Sequence, residues 1–315
     1  MNDKEEQTEI FFLRRWNLDL LLFGLVWLAG CTTAPMQTSA TTTSSPTHTE
    51  TTATSTATPI PTSTESPTAT SPPTREPLPS DPQIIEFEAE DGAKLTGAYF
   101  PAASDPAPLI VLMHWAQGDQ SDWREAAVWL QNRVDFDAEM PLPDIPGETS
   151  FAVFTFNLRG FGLSAGPTIL IWDPDGWIKD VSAAMDTARG LPGVDPDRYL
   201  TIGASIGADA AVLACGSGCR GALSISPGGS LNLPYPEAVE QARARSPQGI
   251  FWCLAAEGDQ PSAQACQAAS GEGYSQAIYP GQAHGMDLFQ PENDPDFGQI
   301  MLDFVNSSLG EGSDP

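Results

Sequence analysis

The sequence has few histidines, few basic residues and no long hydrophobic run. It holds three histidines and 14 Lys and Arg residues against 41 Asp and Glu, which gives a formal net charge of −27. Binding to nucleic acid, or to an anionic lipid surface, depends on Lys and Arg, so this balance argues against both kinds of partner. The sequence also lacks a dinucleotide-binding glycine loop, a phosphate-binding loop and a cluster of residues with metal-ligand spacing. We therefore predict no cofactor and no metal.

The amino-terminal region has the pattern of a secretion signal. A charged head that ends in two arginines precedes the apolar residues 18–28, and Leu-Ala-Gly-Cys follows, with the cysteine at Cys31. Because about 20 apolar residues are needed to span a bilayer and Asp19 interrupts this stretch, a lipoprotein signal fits better than a transmembrane anchor. We predict a signal peptide over residues 1–30 and lipidation of Cys31. The protein is then extracytoplasmic, and its lipid anchor is its only attachment to the membrane.

Composition divides the rest of the chain into two parts. Residues 31–80 consist mostly of Thr, Ser, Pro and Ala, so they have too few large apolar side chains to form a core, and we predict a disordered tether. Residues 81–315 are long enough for one sizeable domain with a single core. The sequence gives no indication of the oligomeric state.

Four cysteines lie in this domain, at Cys215, Cys219, Cys253 and Cys266. An even number of cysteines outside the cytoplasm favours disulfides. The flexible spacer between Cys215 and Cys219 can close a small ring, and a bond between Cys253 and Cys266 would tie a strand to the next element. The connectivity does not follow from the sequence alone. Zinc binding is the alternative, but no nearby histidine completes a ligand set.

Apolar segments alternate with amphipathic ones along the domain. Strands are predicted at 84–89, 95–100, 109–113, 151–156, 199–202, 222–226, 250–255 and 275–279, and helices at 122–133, 177–189, 208–213, 237–245 and 296–308. This order predicts an α/β fold with a mostly parallel, eight-stranded sheet and helices on both faces, in three layers. Residues 109–113 are apolar at every position, which places them in the middle of the sheet. Residues 135–149 are predicted to be a loop, and the gap between Ala222 and Ile250 is too short for a large lid domain.

Ser205 is the predicted nucleophile. It stands in Gly203-Ala-Ser205-Ile-Gly207, between a predicted strand and a helix of small residues, as a nucleophile elbow requires. A serine needs a base, and histidine is the usual one near neutral pH. His114 closes a core strand, where a backbone hydrogen bond is the more frequent role, so His284, in a loop after the last strand, is the predicted base.

A carboxylate and two N–H donors complete the predicted site. Asp259 follows the strand at 250–255 and gives the chain order Ser, Asp, His, and Glu257 is its rival for orienting the imidazole. The first oxyanion donor is the backbone N–H of Ile206, which follows the nucleophile. The second comes from the loop after residues 109–113, from Trp115 or, as the alternative, Ala116.

These residues resemble the α/β-hydrolases, and in arrangement the serine hydrolases that are similar to dienelactone hydrolase. The resemblance covers about residues 84–308 and rests on five features: His114-Trp115, the segment from Asn157 to Ser164, the elbow, Asp259 and His284. The dienelactone hydrolases proper use a cysteine at the position of Ser205, and the glycines that are common in the family after the oxyanion-loop histidine are replaced here by Trp115 and Ala116. These departures leave the dienelactone reaction and the second oxyanion donor open.

Two classes of function follow from the sequence. The first is a serine hydrolase that cleaves a small-molecule acyl substrate, an ester or alternatively a thioester or amide, through an acyl intermediate on Ser205. The second is a non-catalytic binding module that keeps the hydrolase fold on a surface tether. A peptidase is a third possibility, although the sequence has no propeller or helical cap to select peptides.

Overall fold

The computed structural model describes residues 78–135, 138–139, 142–164, 166, 172–290, 293 and 296–310. The predicted signal peptide, the lipidation at Cys31 and nearly all of the predicted tether lie outside these residues. Within the described ranges, no helix is both long and apolar enough to cross a bilayer.

Within the described residues, eight strands form one sheet, in the order β1-β2-β4-β3-β5-β6-β7-β8. In chain order they are β1 Gln83–Glu88, β2 Lys94–Phe100, β3 Ala107–Met113, β4 Ala152–Phe156, β5 Val194–Ala204, β6 Cys219–Ile225, β7 Ile250–Ala256 and β8 Tyr274–Tyr279. The pairs β1–β2 and β2–β4 are antiparallel, and the five pairs from β4 to β8 are parallel. All eight predicted strands are confirmed.

Six α-helices cover the two faces of this sheet within the described ranges. They are α1 Arg124–Gln131, α2 Pro174–Arg189, α3 Ile206–Ala214, α4 Tyr235–Arg245, α5 Gln260–Ala268 and α6 Phe297–Leu309. Helices α2 to α5 contribute buried residues to one core cluster, and α1 and α6 contribute to another. Two short 3-10 helices, Gln120–Trp123 and Gly285–Phe289, complete the described elements.

The two core clusters lie on opposite faces of the sheet, as the side-chain period of a strand requires. In β3, Leu109, Val111 and Met113 belong to the first cluster, whereas Ile110 and Leu112 belong to the second. The strand is therefore buried on both sides, which confirms the prediction that it lies in the middle of a three-layer fold.

Sequence and structure differ mainly in one helix. Helix α5 was not among the predicted elements, because its Ala- and Gln-rich sequence has no clear apolar stripe and only Ser262, Ala263 and Cys266 are buried. A disulfide between Cys253 and Cys266 ties this helix to β7, and a second joins Cys215 to Cys219. Both disulfides match the pairings considered from the sequence. No helix or strand occurs at 226–234, or at the described residues of 135–149.

Candidate active site

The carboxyl ends of the parallel strands form one edge of the sheet, and the predicted site residues follow them directly. Ser205 comes after β5, Asp259 stands three residues after β7, and His284 stands five residues after β8. Because neighbouring parallel strands end at the same edge, side chains from distant parts of the chain meet there.

Ser205 stands on a tight turn between β5 and α3. Its φ of 53° and ψ of −115° lie outside the regions that a residue with a side chain ordinarily adopts. A Cβ added to Gly203 would lie 1.9 Å from the carbonyl oxygen of Gly207. A glycine two residues before the serine is therefore needed for the turn to close, as an elbow requires.

The structure brings Ser205, His284 and Asp259 together as a hydrogen-bonded chain. The Nε2 atom of His284 lies 2.9 Å from the Oγ of Ser205, and its Nδ1 lies 2.7 Å from Oδ2 of Asp259. A carboxylate only accepts, so Nδ1–H donates to Asp259 and Nε2 is free to accept from the serine hydroxyl. The Asp259 side chain is nearly buried, whereas 36% of the His284 side chain is exposed to solvent.

Glu257, the rival acid, is not the carboxylate that orients the imidazole, because Nδ1 of the ring bonds to Asp259. The side chain of Glu257 is exposed, and its backbone N–H donates to the carbonyl of Tyr279 at 2.8 Å. The next residue, Gly258, donates to the carbonyl of Gly281 at 2.7 Å. These bonds hold the loop after β7 against the loop that carries the histidine, so that Asp259 faces the ring.

His114 is a buried structural residue, in agreement with the sequence argument. Its Nδ1 donates to the carbonyl of Trp115 at 2.7 Å, and its Nε2 accepts the N–H of Leu158 at 3.1 Å. The side chain is 1% exposed, and burial lowers its pKa below the usual value. The neutral ring thus joins the loop after β3 to the loop after β4.

The two predicted oxyanion donors lie on elements that touch each other. Ile206 is the first residue of α3, a position whose N–H has no partner one turn earlier in the helix. A Cβ on Gly207 would lie 2.2 Å from the carbonyl oxygen of Met113, so the helix start contacts the end of β3 directly. Trp115 and Ala116 follow within three residues and are half-buried. Which of the two is the second donor stays a prediction.

The Trp115 indole is fixed by a hydrogen bond and by close packing. Its Nε1–H donates to Oδ2 of Asp122 at 2.7 Å, and a Cβ on Gly285 would lie 2.8 Å from its six-membered ring. The ring therefore packs against the residue that follows His284, and it forms one wall of the site.

A groove of about 490 Å³ lies beyond this wall, and Trp115 and Met286 line it next to the site. Four of the described residues that line it are acidic, and none is basic; the acidic ones are Asp122, Glu125, Glu139 and Asp287. Charges of one sign in a cleft repel ligands of the same sign. The groove thus disfavours a negatively charged ligand.

Two polar residues near the site were not among the predicted ones. Ser226 follows β6, and its buried hydroxyl accepts the N–H of Gly285 at 3.0 Å. Asp209, one helical turn after Ser205, accepts three backbone N–H groups from residues 228–230. A single acid in the otherwise apolar helix α3 is a signal that could have identified Asp209. No sequence signal marks Ser226.

Among the described residues, no group of three or more His, Cys, Asp or Glu side chains is arranged to hold a metal ion. The groups brought together here are those of acid–base and nucleophilic chemistry: a hydroxyl, an imidazole and a carboxylate in hydrogen-bonding order.

Solved structures share this architecture. An esterase of Pyrococcus furiosus, Pf2001, superposes with a TM-score of 0.53 at 15% identity, over 73% of this chain and 94% of that chain. The α/β-hydrolase GrgF from Penicillium has a TM-score of 0.53 at 15% identity, over 74% and 99% of the two chains. A dienelactone hydrolase from Anabaena variabilis has a TM-score of 0.50 at 15% identity, over 73% and 98%.

The chain has the α/β-hydrolase fold. The predicted fold class is thereby confirmed, and so is the resemblance to esterases and dienelactone hydrolases at the level of the fold. At this identity a superposition shows the fold, whereas activity depends on the residues of the site.

Sequence relatives match a smaller part of the chain. No protein-family model matches the chain. The uncharacterized protein YfhR of Escherichia coli O157:H7 is 30% identical over 146 residues, which are 46% of this chain and 45% of YfhR. The quorum-quenching protein AidA of Acinetobacter baumannii is 24% identical over 170 residues, 54% of this chain and 49% of AidA. The chain spans about half the length of the curated relatives it matches.

Proposed function

We propose that this protein is a serine hydrolase that cleaves an ester through an acyl intermediate on Ser205, with a thioester or an amide as the alternative substrate. The observation that carries the proposal is the hydrogen-bonded order of Ser205, His284 and Asp259 on a strained elbow. The hydrolase fold and its esterase neighbours support it.

In the proposed reaction, Ser205 Oγ attacks the carbonyl carbon of the substrate while His284 Nε2 takes the hydroxyl proton. Asp259 accepts the Nδ1–H bond and stabilises the imidazolium that forms. The backbone N–H of Ile206, with that of Trp115 or Ala116, stabilises the developing oxyanion. The imidazolium then protonates the leaving alcohol. A water molecule then attacks the acyl carbon while His284 Nε2 takes its proton, and the imidazolium returns this proton to Ser205 Oγ as the acid product leaves.

The acidic groove beside Trp115 supports an acyl substrate without negative charge. The nucleophile here is a serine, whereas the resemblance implies a cysteine in the dienelactone hydrolases proper. The serine thus disfavours the dienelactone reaction, and the acidic groove favours a neutral ester. The esterase and the dienelactone hydrolase with similar folds thus support hydrolysis as the reaction type, and they do not indicate a specific substrate.

Hydrolysis of uncharged p-nitrophenyl esters by the purified protein and three variants tests the proposal. Ser205→Ala is expected to abolish turnover, and Asp259→Asn to lower kcat by about 10⁴-fold, since an amide favours the wrong imidazole tautomer. Glu257→Gln is the matched control and is expected to keep nearly full activity, because its side chain is exposed. Equal activities of the Asp259 and Glu257 variants would reject the assigned triad. Absence of turnover in the folded wild type would favour a non-catalytic binding module.

We further propose that Cys31 is lipidated and that the domain is held outside the cytoplasm by this anchor and a Thr/Ser/Pro-rich tether. The proposal rests on the lipobox pattern, and the two disulfides support an oxidising compartment. Metabolic labelling with radioactive palmitate is expected to mark the wild type and not Cys31→Ala. Equal labelling of the two would contradict lipidation at this cysteine.

A further inference from the structure

The five residues after β6, residues 226–230, lie between the helix that follows the nucleophile and the loop that carries the base. We call them the 226–230 segment. Its first residue is fixed to the sheet, because the N–H of Ser226 donates to the carbonyl of Leu254 in β7 at 2.7 Å. The segment contains no helix or strand, so its conformation depends on the bonds that it makes to neighbouring elements.

Ser226 links the segment to the histidine loop. Its side chain is 0% exposed, and its hydroxyl accepts the N–H of Gly285 at 3.0 Å. Gly285 is the residue directly after His284, so this bond fixes the backbone from which the imidazole projects. Ser226 also has a φ of 55°, which residues other than glycine and asparagine rarely adopt. Glycine would fit this backbone better, but it would lack the hydroxyl.

Asp209 links the other end of the segment to the nucleophile helix. Its side chain is 4% exposed and lies one helical turn after Ser205. Oδ2 accepts the N–H groups of Gly228 at 3.3 Å and Ser230 at 2.7 Å, and Oδ1 accepts that of Gly229 at 3.0 Å. Three backbone donors converge on one buried carboxylate, an arrangement that orders the loop that supplies them.

We propose that the 226–230 segment sets the distance between Ser205 and His284, with Ser226 and Asp209 as its positioning residues. One end is fixed to α3 and the other to the histidine loop, so a change at either end is transmitted to the 2.9 Å contact between His284 Nε2 and Ser205 Oγ. The inference rests on the proposed hydrolase function. Neither residue touches the reacting atoms in this arrangement, and each acts through the backbone that it holds.

The test compares Ser226→Ala and Ser226→Gly with a matched control, Ser150→Ala. Ser150 also has a buried hydroxyl that accepts a backbone N–H, from Ala103 at 2.9 Å, but it precedes β4 at the opposite edge of the sheet. Ser226→Gly removes the hydroxyl and relieves the unfavourable φ, so it separates the hydrogen bond from backbone strain and protects against misfolding.

Both Ser226 variants are expected to lower kcat on a p-nitrophenyl ester by about 10-fold or more with KM within about twofold, since a misplaced base slows chemistry without weakening substrate binding. Ser150→Ala is expected to keep kcat. Asp209→Asn, which replaces one acceptor oxygen by a donor, is expected to behave as the Ser226 variants do. A kcat near the wild-type value in Ser226→Gly and Asp209→Asn, in an active enzyme, would overturn the proposal.

Hydrogen exchange of the Gly285 amide separates this inference from the proposed function. Exchange is expected to be faster in both Ser226 variants than in the wild type and in Ser150→Ala, because the amide loses its acceptor. Unchanged exchange overturns the inference even if the enzyme is active. If the folded wild type has no hydrolase activity, the proposed function fails, and with it the catalytic role of the segment, whatever the exchange rates show.

Discussion

His114 makes the stability of this protein depend on pH. In the native state the ring is buried, its Nδ1 donates to the carbonyl of Trp115, and its Nε2 accepts from the N–H of Leu158. A proton added to Nε2 would point at the N–H of Leu158, so the hydrogen bond that Nε2 accepts from this N–H would be lost. The pKa of His114 is therefore lowered, chiefly by burial, whereas the unfolded chain keeps the ordinary value of about 6.5.

Acid lowers the stability of the native state through His114, because the unfolded chain binds a proton there more readily than the native state does. Below about pH 6.5 the unfolded chain takes up a proton at this position before the native state does, so acid stabilises the unfolded state and stability falls as pH falls. The slope approaches about 1.4 kcal/mol per pH unit. The largest possible loss between about pH 7.5 and about pH 5 is therefore about 2 kcal/mol, reached when the native ring stays neutral throughout.

Urea unfolding of the wild type and of His114→Gln at both pH values measures this contribution. Glutamine offers both a donor and an acceptor but does not titrate. The other titrating groups are common to the two proteins, so their contributions to the pH dependence cancel in the comparison. We expect the wild type to lose up to about 2 kcal/mol more than the variant on acidification. An equal loss in both proteins would refute the assignment of His114 as a buried neutral residue.

Three further perturbations test the fold around the site. Gly207→Ala places a Cβ 2.2 Å from the carbonyl oxygen of Met113, so we expect the free energy of unfolding to fall by about 1–3 kcal/mol. Gly216→Ala, whose Cβ would make only an ordinary contact, is the control, and equal urea midpoints for the two variants would contradict the close approach. Arg159→Met leaves the buried Asp180 carboxylate without its cation and is expected to destabilise by about 3 kcal/mol, and a loss below about 1 kcal/mol would contradict a buried pair. Reduction of the disulfide between Cys253 and Cys266, which are 13 residues apart in sequence, is expected to lower the free energy of unfolding by about 3 kcal/mol. An unchanged thermal midpoint after confirmed reduction would contradict this expectation.

The sheet could be predicted from the sequence because its strands are apolar and are separated by clear turn and helix signals. Residues 109–113 are buried on both faces, and a strand of this kind is apolar at every position. Helix α5 could not be predicted in the same way. Its small polar sequence buries little surface, and a disulfide to β7 holds it in place.

The three residues of the hydrogen-bonded chain could be predicted because each follows the end of a strand and because histidines are scarce. The choice between Asp259 and Glu257 needed the structure, since the sequence does not show which of two carboxyl side chains in one loop faces the imidazole. Ser226 could not be predicted at all. Its role depends on a backbone N–H of Gly285, 59 residues further along the chain, and sequence spacing does not reveal such contacts.

Labelling with a fluorophosphonate, followed by mass spectrometry of the intact protein and its peptides, tests the central claim most directly. Phosphonylation needs both an activated serine and a base beside it. We predict one adduct, on the peptide that contains Ser205, and its loss in His284→Ala. No adduct on the folded wild type, or an adduct that persists at the same rate in His284→Ala, would contradict the proposed mechanism.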